Sequence, residues 1–123
     1  MKLSKTTLQE VAITGGAVLL FFPILVMMSR YSFTLALLSG YAFCFALFGF
    51  THKYFSKPFS SVAHRTSHLF IEATLAESMI VGGVLNANKV IPLHLLALVI
   101  FIAGTIGFIY FRIEERLFKI STN

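Results

Sequence analysis

The sequence predicts an all-α integral membrane protein with four transmembrane helices and both termini in the cytoplasm. Hydrophobic residues make up 57% of the 123 residues and charged residues only 12%, with a mean hydropathy of +0.84. A soluble domain of this size has too little interior to bury so many apolar side chains. We therefore expect one membrane domain over residues 1–123, in contact with the lipid bilayer and located in a bacterial inner membrane.

Four apolar segments predict the helices, because about 20 helical residues cross the roughly 30 Å hydrocarbon core. Residues 11–29 carry no charge, and residues 33–50 lie inside a second charge-free run. Residues 66–85 are apolar except for two glutamates, and residues 90–111 are again uncharged. The first segment is too long for a cleavable signal peptide.

Short connections between the segments predict two antiparallel hairpins. Segments one and two are joined across Ser29–Ser32, and segments three and four across Asn86–Lys89. Such short links make consecutive helices antiparallel neighbours. We expect an asparagine to take up the left-handed backbone of the second turn, and Pro92 to lie in the first turn of the last helix.

The distribution of basic residues predicts the orientation. Cytoplasmic connections are enriched in Lys and Arg, which places both termini and the loop at residues 51–65 in the cytoplasm. The net charge of +5 is then explained by topology, and no nucleic-acid partner is expected. Eight basic residues fall on the cytoplasmic side (Lys2, Lys5, Lys53, Lys57, Arg65, Arg112, Arg116, Lys119) and two on the other (Arg30, Lys89).

Glycines in the spans predict where helices pack. Membrane helices associate through small residues that permit close approach, so these positions are candidates for contacts within the chain, with other membrane subunits or in a homo-oligomer. Leucine at Val99, by contrast, is expected to be tolerated. The candidates are Gly15, Gly16, Gly40, Gly82, Gly83, Gly104 and Gly107.

Two carboxylates, Glu72 and Glu77, lie inside the third span, and none of the four spans contains a basic residue. A carboxylate at the bilayer centre costs roughly 2.5–3.5 kcal/mol on insertion scales. Five residues separate them by about 140° around a helix, so they form no dyad. Glu77 is either a proton or cation site or a protonated acid hydrogen-bonded across the bundle. Glu72 lies one helical turn after His68, and the two can share a proton.

The histidines do not predict a metal or haem site. His64 and His68 have the i, i+4 spacing that suits a metal, but only Glu72 or His52 offers a third ligand, so we expect solvated histidines at the membrane interface. The single cysteine, Cys44, permits neither a disulfide nor a cysteine-based metal site. We expect no cofactor.

Catalytic motifs are missing from the sequence, and we do not expect an enzyme. The chain contains no aspartate, so no Ser-His-Asp set can form, and it has no glycine-rich phosphate loop. Residues 61–67 resemble the Ser-x-x-His-Arg-x-Ser motif of succinate dehydrogenase cytochrome anchors. Because the motif opens the third span here and no later haem-ligand histidine follows, haem is not expected.

Four short motifs resemble the bacterial ATP synthase protein I family. They are Ser39-Gly40, His52-Lys53-Tyr54-Phe55, Phe70-Ile71-Glu72 and Val90-Ile91-Pro92-Leu93. The resemblance implies an accessory membrane subunit that assists assembly of the rotor ring, with Glu72 at the position of the family's glutamate. The chain departs from the family at Leu75, where a lysine is usual.

Two alternatives remain open beside this accessory role. The ends of spans two and four, Lys53-Tyr54-Phe55 and Tyr110-Phe111-Arg112, resemble the GtrA-like family of flippases for polyprenyl-linked sugars. That resemblance implies basic residues facing lipid headgroup phosphates, with Lys53, Lys57, Arg65, Arg112 and Arg116 as candidates. The other alternative is a small oligomeric transporter coupled to protons or cations through Glu77.

Overall fold

The computed structural model describes residues 5–54, 59 and 61–122. Over these residues the chain forms four α-helices and no β-strand. All four helices are long and apolar enough to cross a membrane, so the predicted all-α membrane fold is confirmed at this level. The helices are α1 (Lys5–Ser29), α2 (Phe33–Tyr54), α3 (Val62–Ala87) and α4 (Leu93–Thr122).

The helices extend past most of the predicted span ends. α2 continues to Tyr54 and α4 to Thr122, while α3 begins at Val62, four residues earlier than expected. Polar and charged residues end a membrane span without ending a helix, because they are ordinary helix formers in water. His64 and Arg65 therefore lie on a helix and not in a loop.

Capping explains where α3 begins. Ser61 has an extended backbone, and its Oγ accepts a hydrogen bond from the backbone N–H of His64 at 3.1 Å. A serine at this position satisfies one of the amide groups that lack a partner in the first helical turn. The serine of the anchor-like motif therefore has a local structural role in this chain.

In the turn between α3 and α4, the left-handed residue differs from the prediction and the position of Pro92 agrees with it. The left-handed residue is Lys89, with φ of 61°, while the side-chain amide of Asn86 donates to the carbonyl of Ile91 at 3.1 Å. α4 begins at Leu93, and the Pro92 carbonyl accepts hydrogen bonds from the backbone N–H groups of Leu95 and Leu96 at 3.1 and 3.3 Å, so Pro92 opens the first turn of the helix as expected. Asn86 thus stabilises the turn through its side chain. The residue with left-handed backbone is Lys89, at the end of the turn.

The chain divides into two compact units, Met1–Lys57 and Pro58–Asn123. In the first unit α1 packs against α2, and the rings of Phe21 and Phe43 stack with centroids 4.3 Å apart. Buried residues of α2 recur every four positions from Ala36 to His52, with Thr51 in addition, and form one stripe along the helix. These are Ala36, Gly40, Cys44, Phe48, Thr51 and His52.

In the second unit α3 packs against α4, and two glycines receive side chains of the opposite helix. A Cβ at Gly82 would lie 3.2 Å from Leu96 Cδ1 and 3.4 Å from Val99 Cγ1. A Cβ at Gly107 would lie 3.2 Å from Leu75 Cδ1. Val99 thus lies beside Gly82, and the tolerance of leucine at position 99 stays a prediction.

Three other candidate glycines have open space where a side chain would begin. No atom of the described residues outside the local helix lies within 4 Å of a Cβ placed at Gly15, Gly16 or Gly104. Gly40 is buried and Gly83 half-buried. At Gly82 and Gly107, a side chain of the opposite helix therefore fills the space that the glycine leaves open.

Candidate functional site

A polar cluster lies where α3 begins and α4 approaches its end. His68 of α3 contacts Glu114 of α4, with Nδ1 2.8 Å from both carboxylate oxygens. A carboxylate can only accept, so the His68 Nδ1–H donates to Glu114. This charge-assisted contact joins the two helices through residues that are 46 positions apart in the sequence.

Two more residues complete the cluster. Glu72 Oε2 lies 3.7 Å from the other ring nitrogen of His68, Nε2, so His68 has a carboxylate beside each nitrogen. His64 Nε2 lies 3.3 Å from Glu114 Oε2. His68 and Glu72 are therefore neighbours, as predicted. The distance between Nε2 and Oε2 is that of an ion pair and is too long for a hydrogen bond.

Aromatic rings cover the cluster. Phe111 stacks on the His68 ring with centroids 5.0 Å apart, and Phe59 meets the His64 ring edge-on at 5.1 Å. His64 and His68 are consequently buried, contrary to the solvated histidines that the sequence suggested. Burial is possible because Glu114 supplies an acceptor that the sequence analysis did not identify.

Glu77 lies elsewhere on α3. Leu75 faces Gly107 of α4, and Glu77 follows two residues later, about 200° around the helix from Leu75. The residue is buried, with 5% exposure, and neither carboxylate oxygen has a hydrogen-bond partner among the described residues. Nearby, the Ser78 hydroxyl donates to the carbonyl of Thr74 at 2.9 Å.

The basic residues assigned to headgroup contact are exposed where the structure describes them. Lys53 at the end of α2 is exposed, as are Arg65 on α3 and Arg112 and Arg116 on α4. The Arg112 guanidinium lies over the ring of Phe108, 5.3 Å from its centroid. Lys57 lies outside the described residues. Contact with phosphate groups stays a prediction for all of them.

The sequence analysis did not identify two acids, the half-buried Glu114 and the buried Glu10. Glu114 comes three residues after the predicted end of span four. In a hairpin the end of span four lies at the same membrane depth as His64 and His68. This shared depth could have identified Glu114 as a partner of the two histidines. Glu10 directly precedes span one on α1, with 8% exposure, and its position next to an apolar run was the only hint.

Comparisons with known proteins give no match. No protein-family model matches the chain, and neither curated proteins nor solved structures do so. The resemblances to the ATP synthase protein I and GtrA-like families therefore rest on the short motifs alone.

Proposed function

We propose that the chain is an accessory or assembly subunit of a larger membrane complex, of the class that ATP synthase protein I represents. In this proposal the four helices form two antiparallel hairpins with both termini in the cytoplasm. The order of contacts supports the second hairpin, since Gly82 meets Val99 whereas the earlier residue Leu75 meets the later residue Gly107. The charge distribution supports the orientation.

The open glycines carry this proposal. Gly16 on α1 and Gly104 on α4 are exposed, and nothing described lies within 4 Å of a Cβ at either position. Each occurs beside large exposed apolar side chains, with Leu20 one turn from Gly16 and Phe108 one turn from Gly104. Small gaps flanked by apolar side chains are the surfaces through which membrane helices associate.

Complementation of a strain that lacks this chain tests the proposal. The amount of assembled rotor ring of the ATP synthase is measured in membranes that carry the wild-type chain, Gly16→Leu, Gly104→Leu or Ala42→Leu. Ala42 is a small, exposed residue of α2 and serves as the matched control. We expect both glycine variants to lower the amount of assembled ring and Ala42→Leu to leave it unchanged. Equal ring content with and without the chain contradicts the proposal.

A second function, proton- or cation-coupled transport, is favoured by Glu77. A buried carboxyl without a hydrogen-bond partner in the described residues is suited to bind a proton or a cation, and an ionisable group inside a span often marks an ion pathway. Glu77→Gln preserves shape but cannot ionise. We expect this substitution to abolish ion flux in proteoliposomes, with Glu72→Gln acting more mildly. Unchanged flux in Glu77→Gln excludes this function.

A further inference from the structure

The ring of His68 lies between two carboxylates, Glu114 and Glu72. One ring nitrogen of His68 is held by Glu114, with Nδ1 2.8 Å from the carboxylate. When the ring is neutral, the hydrogen is on Nδ1 and the lone pair is on Nε2. That lone pair lies on the side of the ring occupied by Glu72, whose Oε2 is 3.7 Å away.

We propose that His68 and Glu72 bind a divalent transition-metal ion of the zinc class, with Glu114 as the residue that orients His68. A histidine that binds a metal usually donates its second ring N–H to a carboxylate, which fixes the ring and makes the coordinating nitrogen more basic. The arrangement Glu114–His68–Glu72 has this form. Two of its three members come from α3 and one from α4.

The distances fit such an ion. Zinc lies about 2.0–2.2 Å from nitrogen and oxygen ligands in tetrahedral geometry, which places two ligand atoms about 3.4 Å apart. The separation of 3.7 Å between His68 Nε2 and Glu72 Oε2 needs only a small rotation of either side chain. The i, i+4 spacing on one helix holds both residues on the same face.

Chemistry selects the class of ion. An imidazole nitrogen combined with one carboxylate suits zinc and neighbouring transition metals, whereas magnesium and calcium prefer sites made of oxygen alone. The side chain of Glu72 is 18% exposed, so water can reach the ion and complete its coordination. Two protein ligands predict weaker binding than the three of a typical catalytic zinc site.

The competing explanation is an ion-pair network without metal, in which a protonated His68 bridges Glu72 and Glu114. That network and a metal site use the same three residues but respond differently to zinc. The network leaves no lone pair on His68 for an ion, so the folded protein would bind zinc no better with Glu72 than without it.

Zinc titration of the purified full-length protein in detergent, after removal of metal with a chelator, tests the proposal. Isothermal calorimetry measures the stoichiometry and the affinity. We expect one ion per chain, at least tenfold weaker binding in Glu72→Gln, and binding weakened about 10–100-fold in Glu114→Gln, the usual effect of losing an orienting carboxylate. His94→Asn, which removes an exposed histidine of α4, should bind like the wild type.

Two results overturn the assignment. The first is a wild-type chain that binds no zinc at a one-to-one ratio. The second is a Glu72→Gln variant that binds zinc as tightly as the wild type while eluting at the same position in size-exclusion chromatography. Both readouts are independent of ring assembly and of ion flux, so the metal site and the proposed function stand or fall separately.

Discussion

Replacing Gly82 by leucine is expected to destabilise the packing of α3 against α4. A Cβ at this position would lie 3.2 Å from Leu96 Cδ1 and 3.4 Å from Val99 Cγ1, closer than the 3.5–4.0 Å at which carbon atoms attract each other best. Leucine adds three further carbon atoms beyond that Cβ. The substitution therefore forces the opposite helix to move or its side chains to change rotamer.

The expected magnitude follows from a comparison with Gly104→Leu. Overpacking a filled interior destabilises by typically 1–3 kcal/mol, whereas replacing a helical glycine by a better helix former stabilises by about 0.8–1 kcal/mol. The second effect is common to both variants and cancels in their difference. Since nothing described lies within 4 Å of a Cβ at Gly104, we expect Gly82→Leu to be less stable than Gly104→Leu by about 1–3 kcal/mol.

Unfolding of the detergent-solubilised protein by sodium dodecyl sulfate, followed by circular dichroism, measures this difference. Gly82→Ala provides an intermediate step, because it adds the crowded Cβ without the rest of the leucine side chain. Equal stability of Gly82→Leu and Gly104→Leu would refute the packing seen between α3 and α4.

Three further predictions concern orientation, capping and the buried acid. A reporter fused after Asn123 should indicate a cytoplasmic C-terminus, and a periplasmic signal would contradict the charge argument. Ser61→Ala should lower the free energy of unfolding by about 1 kcal/mol through loss of the cap, with Ser67→Ala, on the exposed side of α3, as a neutral control. Glu77→Leu should leave stability unchanged or raise it, because the carboxyl has no hydrogen-bond partner in the described residues. A loss of stability there would reveal a partner for Glu77.

The sequence was sufficient to predict the number and approximate position of the four apolar helices, because each contains a long apolar run. It was less informative about helix ends. Val62 and Thr122 lie beyond the apolar runs, where helices continue in water until a cap or a turn ends them. The start of α3 depends on the hydroxyl of one serine, Ser61. A single serine is too common in sequences to identify the start of a helix.

Side-chain partners were harder to predict than helices. The contact between His68 and Glu114 joins residues 46 positions apart, and its detection requires the relative depth and rotation of two helices. The same limit applies to the glycines. Gly82 and Gly104 look alike in the sequence, yet the first is filled by the opposite helix and the second is open. Only the rotation of each helix about its axis distinguishes them.

Gly104→Leu separates docking of this chain to a larger membrane complex from the stability of the chain itself. One preparation of membranes supplies both measurements, the stability of the purified chain and the amount of assembled rotor ring in the complemented strain. We expect a chain at least as stable as the wild type together with a reduced amount of assembled ring. Wild-type ring content in the presence of this stable variant would contradict it.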